Sequence, residues 1–540
     1  ISDYIYGLHY AVDEAFVQEI GLPLRRWGGN NTTRYNWQLG TTNHASDWYF
    51  HNNTTYDGIT GTPMTADQWL QRNKRTNTAS LLTIPMTGYV AKDGDQHTCS
   101  FPVAMYPNQD DIDDEDGFPN CGNGLRNGVP IQADPLTTSL AVDETFAQGW
   151  ITHLQANAAT NGTVTLFDLD NEPDIWFETH RDVYPVGWKY DEFRDLTYRY
   201  AAAIKATNPN AQLLGPVVNG WTYYWHGAWD GQRQDWDSPD DRNAHGGMPF
   251  VPWYLQQMKV YEEQNGVRLL DYLDLHYYPQ SNGVSLSPAG DAATQALRLR
   301  STRSLWDPTY ADESWIADAG PDGGMIQLIP RMRAWVDQYY PGTKLALTEY
   351  NWGGLEDING ALAQADVLGI FGREGLDLAT FFDPGQGDPL QTTFPSSPGA
   401  YAFRIYRNYD GQGSKFGDIS MQATSSDQSK LAIYAAQQGN DGSLTLVVIN
   451  KTAESLTANL VIRNLVSADL VLTEAAERYQ YSAANVNAIV RLPDVAVEDA
   501  ALSSTFPANS MTLLSLATVS AAPGLPAPGN AKLYLPVVNK

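Results

Sequence analysis

Across positions 1–410, short apolar runs alternate with stretches whose apolar residues recur every three or four positions. The runs are Tyr4–Leu8, Pro23–Trp27, Leu81–Pro85, Val164–Asp170, Gln212–Val217, Tyr272–Tyr277, Lys344–Glu349 and Ala379–Asp383. Strands covered on both faces read as near-continuous apolar segments, so these eight are read as parallel strands. The clearest helix between them is Tyr190–Ala206, with Phe193, Leu196, Tyr200 and Ile204 on one face and Asn208-Pro209 stopping it. A second is Ile358–Phe371. Eight strands with helices between them predict an α/β fold, a (β/α)8 TIM-like barrel. Long connections at 28–80, 86–135 and 218–250 break the spacing, and one rim of a barrel is where such loops build a cleft.

From position 411 the texture changes. Leu431–Ala436, Leu444–Asn450, Ala458–Ile462, Asp469–Leu472 and Met511–Ala517 are short segments separated by turn residues. They predict an antiparallel β-sandwich over 411–519, which the first residues of the chain are expected to join. Residues 520–540 read as a Pro/Ala/Gly linker, Ser520–Asn530, followed by a tail, Leu533–Val538.

Composition narrows the partners. The chain has 540 residues and a net charge of −28, from 34 basic and 62 acidic side chains. That balance argues against nucleic acid and anionic membranes as partners. No apolar run reaches the roughly 18 residues that a membrane helix needs. The opening residue is Ile1 rather than Met, as expected of a secreted chain whose leader has been removed. Sixteen Trp and 30 Tyr are many, and sugar rings stack their C–H faces on aromatic rings. Most of these aromatics are expected in the core. A monomer is expected.

Cys99 and Cys121 are the only cysteines, and a disulfide between them is expected in a secreted chain. Between them runs an acidic stretch holding Asp110, Asp111, Asp113, Asp114 and Asp116. It is either a solvated loop or an oxygen-rich cradle for a structural Ca²⁺. It lacks the EF-hand's closing glutamate. No cofactor is expected in catalysis.

Two glutamates carry the chemistry. Asn171-Glu172-Pro173 and Thr348-Glu349-Tyr350-Asn351-Trp352 each place a carboxylate at the end of an apolar run. Pro173 cannot donate to a ladder and favours an extended Glu172. Strand-end carboxylates can converge over a barrel's mouth, and a carboxylate pair in unlike environments is the equipment for glycosidic cleavage. One must hold a proton for the leaving group while the other is ionised to attack.

A set of motifs sharpens this reading. It comprises Arg26-Trp27-Gly28-Gly29-Asn30, Thr33-Arg34-Tyr35-Asn36-Trp37, Ser46-Asp47-Trp48-Tyr49-Phe50 and Gly88-Tyr89-Val90-Ala91-Lys92. To these add Asp170 to Pro173, Asp274-Leu275-His276-Tyr277-Tyr278-Pro279, Thr348 to Trp352, Tyr406-Arg407-Asn408-Tyr409-Asp410-Gly411 and Ile449-Asn450-Lys451-Thr452. Together they resemble glycoside hydrolase family 44 over roughly residues 4 to 518. The resemblance implies a barrel joined to a β-sandwich, retention of configuration, and endo-cleavage of β-1,4-glucans such as xyloglucan and carboxymethylcellulose, sometimes xylan. It implies Glu172 as acid/base and Glu349 as nucleophile. One departure is Phe381-Phe382-Asp383-Pro384, where many related barrels carry a tryptophan under the sugar.

Position and chemistry suggest the supporting cast. Asn171 is placed to meet the sugar 2-hydroxyl, Tyr278 to donate to Glu349, and Arg26 and Asn30 to fix the nucleophile. His276 shares the inward face of its strand. Trp37, Trp48, Trp352, Trp221 and Trp225 are candidates for sugar stacking. The rival readings are a retaining xylanase or mannanase on a similar barrel, and a polysaccharide-binding protein without catalysis. A metallohydrolase is discounted, because neither His-x-His nor His-Glu-x-x-His occurs.

Overall fold

The computed structural model describes residues 1–9, 13–56, 62–319, 321–382, 393–463 and 470–520. Eight parallel strands close into a barrel, and in chain order they are β1 (Gly7–His9), β2 (Leu24–Trp27), β3 (Ala79–Thr83), β4 (Leu166–Asp168), β5 (Gln212–Val218), β6 (Tyr272–Tyr277), β7 (Lys344–Tyr350) and β8 (Leu378–Phe381). Each pairs with its chain neighbours, and β8 closes on β1.

The interior is layered by the two-residue period of a strand. Leu24, Leu81, Leu166, Leu214, Tyr272, Ala346 and Leu378, one from each of β2 to β8, pack into a single apolar plug. Two residues further along six of these strands stand Arg26, Thr83, Asp168, Asp274, Thr348 and Thr380, all buried. A greasy floor therefore carries a polar layer that faces the C-terminal mouth. The next step up β6 is His276. On β7 the register slips: Leu275 pairs with Leu347 but His276 pairs with Glu349. This bulge brings Glu349 to the mouth beside Thr348, which the simple alternation of a strand would forbid.

Several expected strands start or stop elsewhere. Residues Tyr4 to Tyr6 belong to a 3-10 turn, Asp3–Tyr6, because the Ser2 side chain accepts from the Tyr4 amide and starts a helical turn. The strand expected at Val164–Asp170 is only Leu166–Asp168, and that expected at Leu81–Pro85 is displaced to Ala79–Thr83. The helices run Tyr190–Thr207 and Ile358–Glu374.

Apart from short antiparallel pairs in the rim loops, the antiparallel sheets occupy 419–520. Six strands pair in the order Ile419–Met421, Leu431–Gln437, Leu444–Asn450, Ser510–Leu516, Ala475–Ser482, Asn485–Ala496. One face, with Leu431, Ile433, Leu446 and Leu514, packs with Leu460, Leu502 and Phe506 of the Leu456–Val461 and Ala501–Phe506 pair. The other face, with Tyr434, Val447, Ile449, Met511 and Leu513, joins the barrel's own core. Burial on both faces explains why Leu431–Gln437 and Leu444–Asn450 are buried at every position. It also explains why every residue from Asn359 to Gly372 is buried: this helix lies between barrel and sheet. The amino-terminal nitrogen of Ile1 donates to the Asp418 carbonyl, tying the start of the chain to that sheet's edge. The expected linker from 521 onward, the tail, Asp383 and Asp469 lie outside the described residues.

Long rim loops are stapled to one another. Arg34, after β2, is buried against Asp182, after β4, at 3.0 Å. Asp182 also accepts from Ser100, after β3, at 2.6 Å. Cys99 and Cys121 are joined, with Cα atoms 5.8 Å apart.

Candidate active site

Glu172 and Glu349 meet over the polar layer. One carboxylate oxygen of each, with a ring nitrogen of His276, all lie within 4.8 Å of one another. Among the described residues this is the one group of three or more His, Cys, Asp or Glu side chains that so converges.

Glu349 is held by two donors of different kinds. Arg26 Nη1 donates to Oε1 at 2.7 Å and the Tyr278 hydroxyl donates to Oε2 at 2.9 Å. Burial alone would raise this carboxyl, but the charges of His276 and Arg26 outweigh it and bring the pKa down to about 2. The same guanidinium donates through Nε to Asp168 at 2.7 Å and through Nη2 to Asn171 Oδ1 at 2.9 Å. A planar fork with all its nitrogens engaged is rigid, so Arg26 fixes the Glu349 carboxylate as well as charging its surroundings.

Glu172 sits four residues past the end of β4, at the entry of a 3-10 turn, Pro173–Ile175. Its backbone is left-handed, φ 43° and ψ 53°, which corrects the extended conformation expected before proline. Such a conformation costs a non-glycine residue about 1–2 kcal/mol. Contacts remote in sequence hold it: the Glu172 amide donates to the Val217 carbonyl at 3.0 Å. The indoles of Trp176 and Trp188 donate to the carbonyls of Asn171 and Pro173 at 3.1 and 2.7 Å.

The carboxylate of Glu172 faces His276 and Asn219. Oε1 lies 2.8 Å from His276 Nδ1 and accepts from Asn219 Nδ2 at 2.8 Å. The tautomer follows from the partners on the ring's other side. Thr348 Oγ1 donates to Asp274 at 2.7 Å, so its lone pairs accept from His276 Nε2–H at 3.1 Å. Burial works against a charge on His276, but Glu349 and Glu172 overcome it and raise its pKa. The ring stands between the two glutamate side chains, with Nδ1 also 3.5 Å from Glu349 Oε2. Beneath it, burial and the neighbouring Asp168 push Asp274 up to about 7.

The expected residues divide clearly. Arg26, His276 and Tyr278 touch Glu172 or Glu349, and Asn171 joins them through Arg26. Asn30 stands one contact further out, accepting from Asn171 at 3.1 Å and donating to Asp47 at 3.2 Å. Trp48 stacks on His51, with ring centroids 4.5 Å apart, and its indole donates to Asp116. Trp37 packs against Phe146 and His153 of the outer helix Glu144–Ala156. Trp352 is buried, with its indole donating to Ser301 at 3.1 Å, so it has no face open to a sugar. Trp221 is buried with its indole on the Ala319 carbonyl. Apolar packing takes both, because a ring beside a motif is as useful to the core as to a ligand.

At the end of β8, Phe381 goes to the core. Phe382 meets Tyr278 edge-on with ring centroids 6.5 Å apart and packs against His9. The acidic run takes separate partners. Asp110 accepts from the amides of Asn127 and Gly128, Asp111 from the Tyr49 hydroxyl, and Asp116 from Trp48, while Asp113 pairs with His51. No three of its carboxylates converge among the described residues.

Sequence reasoning missed Asn219, Thr348, Asp274 and Asp168. The signal for Asn219 was its place as the first polar residue past the apolar strand β5. For the other three it was a polar side chain two residues above an apolar one on an otherwise buried strand.

Known proteins resemble this chain in the same terms. The family model for glycoside hydrolase family 44 matches residues 41–281. The solved structure of CelM2, a bifunctional glucanase-xylanase from a metagenome library, is 40% identical and superposes with a TM-score of 0.86 over 96% of this chain and 97% of that one. A family 44 xyloglucanase from Paenibacillus polymyxa is 27% identical, with a TM-score of 0.76 over 96% and 97% of the two chains. Endoglucanase A of Paenibacillus lautus is 32% identical over 79% of this chain, which spans only 59% of that protein's length. With a relative at 40% identity matched nearly end to end, the chain belongs to glycoside hydrolase family 44.

Proposed function

We propose that the protein is a secreted, retaining endo-β-1,4-glucanase that cleaves xyloglucan-type and carboxymethylcellulose-type chains by double displacement. The observation that carries this reading is the approach of Glu172 and Glu349, with His276, within 4.8 Å. Retaining sites place their carboxyls about 5–5.5 Å apart, whereas inverting sites need about 6.5–9.5 Å to admit a water. The disulfide favours an oxidising compartment.

In the first step Glu349, ionised under its two donors, attacks the anomeric carbon. The bond to the glycosidic oxygen breaks, and that oxygen takes the proton of Glu172. With Oε1 of Glu172 engaged by Asn219 and His276, Oε2 is the oxygen that serves the leaving group. In the second step Glu172, now a carboxylate, takes a proton from water as the water attacks the glycosyl ester and releases Glu349. The carboxylate formed on Glu172 is stabilised by the imidazolium of His276 at the moment Glu349 becomes neutral. Arg26 stays between Glu349 and Asn171, so the latter's amide is positioned beside the sugar's 2-hydroxyl.

CelM2, the glucanase-xylanase, is the relative that favours a second substrate, xylan. The test of the reaction is stereochemical. An activated aryl β-cellobioside with Glu349→Gly and sodium azide should give the α-glycosyl azide, because azide enters where the nucleophile stood. Glu172→Ala with azide should give the β-glycosyl azide through the normal ester. The reverse pattern would exchange the two roles, and no azide product from either variant would sink double displacement.

A further inference from the structure

The backbone around Glu172 is strained on both sides of a seam. Asp170, Glu172 and Val217 have φ of 68°, 43° and 56°, all in the left-handed region. For the β-branched Val217 this is a genuine outlier, and such residues persist only where their surroundings over-determine them. Val217 belongs to β5, and its carbonyl accepts from the Glu172 amide at 3.0 Å. The ends of β4 and β5 are therefore clamped in a conformation that neither sequence favours alone.

Asp174 is part of that clamp. It stands two residues beyond Glu172, in the turn Pro173–Ile175, and is fully buried. The Asn219 amide donates to it, lying 3.0 Å from Oδ1 and 3.3 Å from Oδ2. Among the described residues no Lys, Arg or His forms an ion pair with it. Burial first, and the charge of Glu172 second, push its pKa well above the usual carboxylate range. A buried acid without a cation is costly to keep, and such groups collect where chemistry is done. With both oxygens in reach of the amide, one can accept even when the other carries a proton.

Asn219 faces both acids of the turn. Its backbone N–H donates to Asp174, and its side-chain Nδ2 donates to Glu172 Oε1 at 2.8 Å. Because Oε1 is taken up as an acceptor, the proton that the acid gives away belongs on Oε2. A shift of the Asn219 backbone would release Oε1 and let the carboxyl rotate. The only side chain that holds that backbone amide is Asp174.

We propose that Asp174 is a positioning residue for the acid step: by holding the Asn219 backbone it aims the Asn219 side chain at Glu172 Oε1, which turns the protonated Oε2 towards the leaving group. Asp174 touches neither the substrate nor the reacting atoms. The assignment rests on the reading of Glu172 as the acid/base given above, and adds the residue that orients its proton.

Aryl β-cellobiosides that differ only in the leaving group isolate this step. Their kcat/KM reports the first chemical step, in which phenol needs a proton to depart and a dinitrophenolate does not. Asp174→Ala should lose about tenfold on the phenyl glycoside and less than about twofold on the dinitrophenyl one, a fraction of the roughly 10²–10⁴-fold that proton transfer supplies. Asn219→Ala should show the same split. The double variant should be little worse than the poorer single one, because the two residues act in one chain. Asp174→Asn, which keeps one acceptor oxygen, should recover part of the loss. Thermal midpoints check folding, and Asp174→Leu, of similar volume and without an acceptor, carries the test where the alanine variant does not fold. Equal losses on the two glycosides, losses that multiply in the double variant, or an asparagine variant no better than alanine would each overturn the assignment. Wild-type protein inactive on both glycosides and on xyloglucan would instead overturn the glycosidase reading, so the two failures are distinct.

Discussion

Arg26 Nη1 stands 2.7 Å from Glu349 Oε1, although 323 positions separate the two residues in the chain. An opposite charge this close lowers a carboxyl by about 1–3 pH units. With its pKa near 2, the Glu349 carboxyl stays ionised through any ordinary assay. Arg26→Met should therefore move the acid limb of kcat/KM upward by about 1–3 pH units and cost about a hundredfold at neutral pH. Arg26→Lys restores charge without the fork and should recover the limb better than the rate. The stability sign agrees. A carboxyl depressed below its ordinary 4.5 contributes stability that is present above that value and is lost as pH falls towards 2. Arg26→Met should flatten that acid loss. An acid limb that does not move in the Met variant would show that Arg26 only braces the loop.

His276 makes the opposite prediction at the other end of the scale. Its pKa is raised above the ordinary 6.5, so its contribution is full below 6.5 and is lost as pH rises through the folded value. Wild-type protein should lose more thermal stability between pH 6 and 9 than His276→Gln does. The variant should also lose about a hundredfold in kcat, with little change in KM, because the imidazolium matters most when negative charge moves to Glu172. Parallel pH–stability curves for the two proteins would remove the charge from His276.

Much of the frame was legible because barrel strands are buried on both sides. Tyr272–Tyr277 was read to the residue, and the polar rim residue Tyr278 followed from it. Glu172 and Glu349 were legible as motifs, but the backbone of Glu172 was not. Its left-handed turn is set by Val217, and the proline rule that argued otherwise sees only one neighbour. Asn219 is ordinary in sequence and reaches Glu172 only through a contact 47 positions away. The strands Ala475–Ser482 and Asn485–Ala496 escaped notice because their exposed sides carry polar residues. Trp352 and Trp37 were over-read because aromatic content says nothing of which side a ring faces.

Between barrel and sheet, Asp366 is buried and accepts from Lys451 at 2.5 Å, Thr302 at 2.6 Å and Tyr434 at 2.7 Å. Lys451 comes from the end of Leu444–Asn450, so this cluster joins the two halves of the molecule. Removing one member of a buried pair strands the other charge. Asp366→Asn should cost about 3–5 kcal/mol in denaturant unfolding. Asp366→Leu combined with Lys451→Met should recover most of it, since no charge is then left without a partner. A double variant as unstable as the single one would mean that the contact is needed for geometry rather than charge.

Gly369 lies in the buried helix Ile358–Glu374, where a Cβ would meet Tyr434 Cδ2 at 2.3 Å. Helix propensity alone says that Gly→Ala stabilises by about 1 kcal/mol. Here the ring cannot retreat easily, because its hydroxyl is fixed on Asp366 and its strand is hydrogen-bonded on both sides. Overpacking of this kind costs about 1–3 kcal/mol, so Gly369→Ala should destabilise by about 2 kcal/mol, against the propensity. Tyr434→Leu should reverse the sign: in that background, with the ring gone, Gly369→Ala becomes neutral or stabilising. The coupling from this double-mutant cycle, measured by urea unfolding, distinguishes a steric seam from a helix that merely tolerates glycine. If alanine stabilises both backgrounds, the helix and the sheet are less closely apposed than the Gly369–Tyr434 contact requires.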